Sequence, residues 1–237
     1  MSSVRYFVAH LIVAILLALD ATAQTAGANS PNGQSSASTQ SNQPGDSGRP
    51  AYRKGVIELQ LGGLNAGGDL KSVFSNSFTG GVNFGYRFHR YLQADFGFDF
   101  SRGAAKVNRT INTTGGARSV GDDEFFMPLG GRIVLPLAKE RALISAGGGL
   151  AYLRYSEVAR GGANEIVICS SCDARSGVGA YEMFQVQFLV DRQRHVGLGF
   201  TAKFFQARTS GDGLGTALRP SSDDRWRILS GTISFHF

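Results

Sequence analysis

Cys169-Ser170-Ser171-Cys172 is the only cysteine pair in the 237-residue chain, and its spacing is one that redox and metal chemistry use. A zinc set would need a second pair or a nearby His, and neither is present; no βαβ pattern surrounds the motif to make it a dithiol centre. In an exported chain the pair reads first as a small loop disulfide, then as free thiols, with a metal ion last. Hydrolysis by a nucleophile would need a Ser activated by a His and a carboxylate. The chain has only four histidines, His10, His89, His195 and His236. A third set is charge embedded in alternating segments: Glu58, Arg87, Asp95, Asp99, Arg132 and Lys203. Three acids and three bases could form a proton path or gate, or a polar network that fills a narrow interior, because a buried charge is costly unless paired. The network is the favoured reading, with Arg132 expected to pair with Asp95 or Glu58.

The segments that carry these charges alternate with period two. In residues 78–100, Phe78, Val82, Phe84, Tyr86 and Phe88, then Leu92, Phe96, Phe98 and Phe100, take one parity. Asn83, Arg87, Gln93, Asp95 and Asp99 take the other, with glycines among them. Such alternation marks a β-hairpin with one apolar and one polar face. The polar parity is mostly small, as the inside of a narrow barrel requires, whereas the apolar parity is too bulky to fill such an interior. The apolar face is therefore expected to point outward, towards lipid.

Further strands are expected at residues 56–64, 125–135, 144–152, 181–190, 195–205 and 226–237, giving eight in all. Short turns at 89–91, 138–141 and 191–194 alternate with long Gly-, Ser-, Asp- and Asn-rich connections at 65–77, 101–124, 156–176 and 207–225. The expected fold is all-β, an eight-stranded antiparallel up-and-down transmembrane barrel over residues 56–237, with turns on one side and long loops on the other. The 32 glycines, 17 phenylalanines and only 18% charged residues suit a lipid-facing β protein. Glu182 and Arg154 share the outward parity, and the reading places both at the outer rim, with a bulge near Glu182. Tyr86, Phe88 and Tyr91 at one end, and Tyr152, Tyr155, Tyr181 and Trp226 at the other, are expected to form two aromatic girdles.

Ahead of the strands, residues 1–23 read as a secretory signal: Arg5, an apolar run broken by His10, then Ala21-Thr22-Ala23. Residues 24–55 are rich in Ser, Gln, Asn and Gly and cannot bury enough apolar surface to fold, so they read as a periplasmic tail. A net charge of +6 without any Lys/Arg cluster gives no reason to expect nucleic-acid binding.

At this point the chain resembles the small eight-stranded outer-membrane barrels of diderm bacteria, the OmpA-type transmembrane domain and OmpX among them, from Val56 to the end. In that family the last strand ends in an aromatic preceded by alternate apolar residues, read by the barrel-assembly machinery; Leu229, Ile233, Phe235 and Phe237 match this pattern. The resemblance implies an outer-membrane location with turns in the periplasm and loops outside, a lipid partner, and a structural or surface-interaction role. His89, His195 and His236 then fall on the periplasmic side, away from the outer leaflet, which argues against a Ser–His hydrolase there. Nothing calls for a cofactor. Two other functions remain open: a channel for small or apolar solutes, and a secreted lipocalin-like barrel with the apolar face inside.

Overall fold

The computed structural model describes residues 53–72, 74–104, 106, 110–113, 116–138, 140–159, 174–212 and 221–237. The expected signal, all but the end of the tail, and both cysteines lie outside the described residues.

The strands are β1 (Gly55–Gly68), β2 (Ser77–His89), β3 (Leu92–Ala104), β4 (Thr110–Thr113), β5 (Gly116–Leu137), β6 (Ala142–Ala159), β7 (Ala174–Leu189), β8 (Val196–Gly211) and β9 (Ser221–His236). Eight of them close a cylinder in the order β1-β2-β3-β5-β6-β7-β8-β9, with β9 returning to β1. The ninth, β4, pairs only with the start of β5. Every pairing is antiparallel, and closure leaves the barrel wall no exposed edge.

The register fixes the shape. From Asn65, the line of paired residues runs through Arg227, Phe204, Glu182, Gly148, Gly131, Ala94 and Tyr86 to Gly55, ten residues further down the strand where it began. A stagger of ten over eight strands, at about 3.3 Å per residue and about 4.8 Å between strands, tilts the strands by about 40°. Each residue then climbs about 2.5 Å along the barrel axis.

Side chains sort as the parity requires. Glu58, Gln60, Asn83, Arg87, Asp95, Asp99, Arg132 and Lys203 are buried inside, while Leu59, Phe84, Phe96, Leu129, Phe200 and Leu229 are exposed outside. The apolar-inside arrangement of a soluble ligand-binding barrel is therefore not the one adopted through the lower lumen. The outward apolar belt runs from Phe88, Phe188 and Phe237 up to Phe78 and Tyr152, and is bounded above by Arg102, Arg154, Arg208 and Arg227. With the climb above, this belt is about 25 Å tall, the height of the apolar band of a membrane barrel.

The strands outrun their expected limits at the upper end. Residues expected in long connections belong to every one of the strands, and Gly55, expected in the tail, opens β1. Above the belt the outward positions are polar: Asp123, Arg154, Ser156, Arg208, Ser210, Asp223 and Arg225 stand where apolar residues stand lower down. The ladder continues, but the contrast between faces that betrays it in sequence is lost.

Two expectations are corrected by this length. Tyr155, Tyr181 and Trp226 do not form an outer girdle; they are buried inside the barrel, because unbroken pairing carries parity through the strand ends. Glu182 is not at the rim, and no bulge interrupts β7 beside it. It faces outward at mid-strand, between Gly148 and Phe204, because β7 starts at Ala174 rather than near residue 181.

Candidate functional site

The lumen is the only place where the described residues gather buried ionisable groups, and it is stratified. In its lower part Arg132, on β5, reaches across the barrel. Its Nε and Nη2 donate to the two oxygens of Asp95 on β3, both at 2.7 Å. Its Nη1 and Nη2 donate to the two oxygens of Glu58 on β1, both at 3.1 Å, and Nη1 also donates to Gln185 Oε1 on β7 at 2.6 Å. A guanidinium has five N–H groups, and five bonds are made, two of them in each carboxylate fork. The carboxylates receive further donors: Asn83 Nδ2 bonds both Glu58 and Asp95 at 3.2 Å, Gln93 Nε2 bonds Asp95 at 2.7 Å, and Gln187 Nε2 bonds Glu58 at 3.2 Å.

The backbone makes room for this fork. Arg132 pairs directly with Gly147 on β6, and a Cβ at residue 147 would lie 2.5 Å from the Arg132 Cβ and 2.2 Å from the Gly131 carbonyl oxygen. Glycine is thus needed opposite the largest inward cation. The side chains around Arg132, with Arg87 and His236 beneath, leave no room for a water molecule between them.

Higher in the lumen Lys203 Nζ donates to both oxygens of Asp99 at 2.8 Å. The six charges named from sequence therefore fall into two bonded groups and one cation apart from both. Arg132 joins Glu58 and Asp95, Lys203 joins Asp99, and Arg87 stands below with its Nε lacking a hydrogen-bond partner.

Above Lys203 the lumen becomes apolar. Phe126, Phe205 and Trp226 form a ring cluster, with Phe126 4.8 Å from Phe205 and 5.6 Å from Trp226, and Tyr181 lies 5.9 Å from Phe205. Leu64, Leu153 and Ile228 fill the gaps. Leu70, in the 3-10 turn Asp69–Ser72, and Phe74 close this layer from above. At the mouth polarity returns: Asp122, Glu124, Glu157, Arg175 and Asp224 are all buried. Asp224 accepts from Thr209 and Tyr155, and Arg175 donates to Ser222 Oγ at 3.1 Å. Sequence reasoning missed both upper layers, although extending each strand's parity by a few residues would have placed them inside.

The C-terminal residues Leu229, Ile233, Phe235 and Phe237 all face outward on β9 and its end. His236 faces inward, with its Nε2 3.0 Å from Ser234 Oγ, and this pair sits at the short-turn end together with His89 and His195.

No family model matches the chain, and no curated protein matches it. Solved structures do. Neisserial surface protein A is 13% identical, with 77% of this chain and 97% of that chain covered and a TM-score of 0.50. OprG, an outer-membrane protein of Pseudomonas aeruginosa, is 11% identical over 78% of this chain and 98% of that chain, with a TM-score of 0.47. Ail, the attachment invasion locus protein of Yersinia pestis, is 11% identical over 78% of this chain and 99% of that chain, with a TM-score of 0.44. The chain has the fold of a small eight-stranded outer-membrane barrel.

Proposed function

We propose that the protein spans an outer membrane as a closed, non-conducting barrel, without enzymatic activity, and serves envelope structure or surface interaction through its long connections. The observation that carries this reading is the combination of an outward apolar belt about 25 Å tall with a lumen stopped twice, by the Arg132 network and by the aromatic layer above it. An ion would have to break a five-bonded guanidinium fork and then cross a layer of phenyl and indole rings. Either step exchanges hydration for unpaired burial.

On this reading the short turns and the tail lie in the periplasm and the long connections outside. The outward C-terminal residues Leu229, Ile233, Phe235 and Phe237 serve as the assembly signal. The histidines at the short-turn end would face the periplasm, away from any outer-leaflet substrate. Cys169 and Cys172 would close a disulfide within an external connection.

Planar-bilayer recording of the refolded chain tests the closed lumen. No resolved conductance steps are expected; a stable unit conductance, abolished when the lumen-facing residues are enlarged, would replace this reading with a solute channel.

A further inference from the structure

We propose that the upper lumen is a binding site for a small aromatic molecule carrying a hydrogen-bond acceptor, and that Leu70 and Phe74 occupy it as the chain's own ligand. Its permanent wall is strand-borne: Phe126, Leu153, Tyr155, Phe205, Trp226 and Ile228, all at 2% exposure or less. Leu70 and Phe74 differ in origin, because they come from the connection between β1 and β2 and not from the wall. The Phe74 ring stands edge-on to Tyr155, with centroids 5.0 Å apart and planes at 87°. That is the geometry in which a free aromatic molecule would dock on the same ring.

Two observations separate this layer from an ordinary core. The first is how the inserted residues are held. Within the segment Phe74 N bonds Leu70 O at 2.9 Å and Ser72 Oγ bonds Asp69 O at 3.2 Å, and Phe74 makes a single β-bridge; the side-chain ties from the segment to the barrel among the described residues are exposed: Asp223 N to Asp69 Oδ2 at 3.3 Å, and Lys106 Nζ to Lys71 O at 2.9 Å. Exposed ties of this kind open locally at far lower cost than the barrel unfolds. The second is Trp226, whose indole N–H is buried at 1% exposure and has no hydrogen-bond partner. Buried indoles ordinarily find an acceptor. A hydroxyl or carbonyl oxygen on a phenyl-sized ligand would supply it, while the ligand's ring took the place of Phe74. The site goes beyond the closed-barrel reading and stands whether or not the barrel conducts.

Trp226 is the only tryptophan in the chain, so its fluorescence reports the site directly. The full chain, refolded into lipid nanodiscs, is titrated with 4-bromobenzyl alcohol, whose bromine quenches indole on contact. Asp69→Ala loosens the outer tie without touching the ring layer, and Phe74→Ala removes the self-ligand. Saturable quenching is expected in the unsubstituted chain, reversed by unbrominated benzyl alcohol. Both variants should bind about tenfold tighter, since apparent affinity scales with the open fraction. Quenching that rises linearly with probe, alike in all three proteins and not reversed by the competitor, is partition into lipid and overturns the proposal.

Discussion

Replacing Arg132 by Met keeps much of the side chain's length and removes only the charge and the donors. The loss can be worked from the fork. Five hydrogen bonds disappear, and Glu58 and Asp95 remain at 1% and 3% exposure without their guanidinium, with Arg87 below as the remaining cation of that layer. Bonds to charged groups contribute about 1.5–3 kcal/mol each when isolated, but those sharing one guanidinium do not add. The better guide is the cost of removing one partner of a buried ion pair, about 3–5 kcal/mol. Asn83, Gln93 and Gln187 still donate to the stranded carboxylates, which favours the lower half of that range. The assay is reversible urea unfolding into lipid vesicles, followed by Trp226 emission. Arg132→Lys should recover little, since an ammonium cannot fill two carboxylate forks at once. Adding Glu58→Gln and Asp95→Asn to Arg132→Met should restore part of the stability, because the two stranded carboxylates are then gone; Arg87, left without them, keeps the rescue partial. A cost below about 1 kcal/mol for Arg132→Met, or strict additivity among the three changes, would refute the claim that the fork holds the lower lumen.

Four further outcomes follow from the same geometry. Glu182→Leu should stabilise the barrel by up to about 1 kcal/mol, because an outward acid within the belt costs less than the roughly 2–4 kcal/mol of a mid-bilayer Lys or Arg; a destabilisation in the same vesicle assay would mean that Glu182 has a partner. Phe126→Ala, which removes a ring packed on Phe205 and Trp226, should cost about 3–5 kcal/mol in urea unfolding. Gly147→Val should displace the Arg132 side chain and lower stability, and combining it with Arg132→Met should cost less than the sum of the two. Asp191 lies in the turn between β7 and β8, where it accepts the Val196 N–H at 2.9 Å, and this bond holds its carboxyl below the ordinary value of 3.8. Its contribution is present above that value and lost as pH falls through the lowered one; a carboxyl carbon titrating at 3.8 or above by NMR would contradict the bond.

The sequence was legible wherever the two faces of a strand differ. Phe84 against Asn83, or Leu129 against Arg132, displays the contrast between an apolar outer belt and a packed polar lumen, and the inward set of Glu58, Asp95 and Arg132 follows from parity alone. Legibility failed where one medium changed. Above the belt, Arg154 and Arg208 are exposed on the outside while Tyr155 and Ala207 are buried within, so polarity is inverted and the strand reads as a loop. Trp226 and Tyr181 were misplaced for the same reason, being aromatic residues near an interface that point inward. Pairing across the barrel was only partly accessible. Parity places Lys203 and Asp99 inside, but only the stagger of ten residues brings β8 and β3 to a common height. Leu70 and Phe74 carried no periodic signal, because they enter the lumen from a connection.

The central claim is that the apolar belt faces lipid, and cell fractionation with gel electrophoresis of unheated and boiled samples tests it most directly. Recovery in the outer-membrane fraction, with faster migration of the unheated protein than of the boiled protein, is the expected result, since a closed barrel resists detergent until heated. Recovery in the soluble fraction without detergent, with identical mobility before and after boiling, would contradict the account.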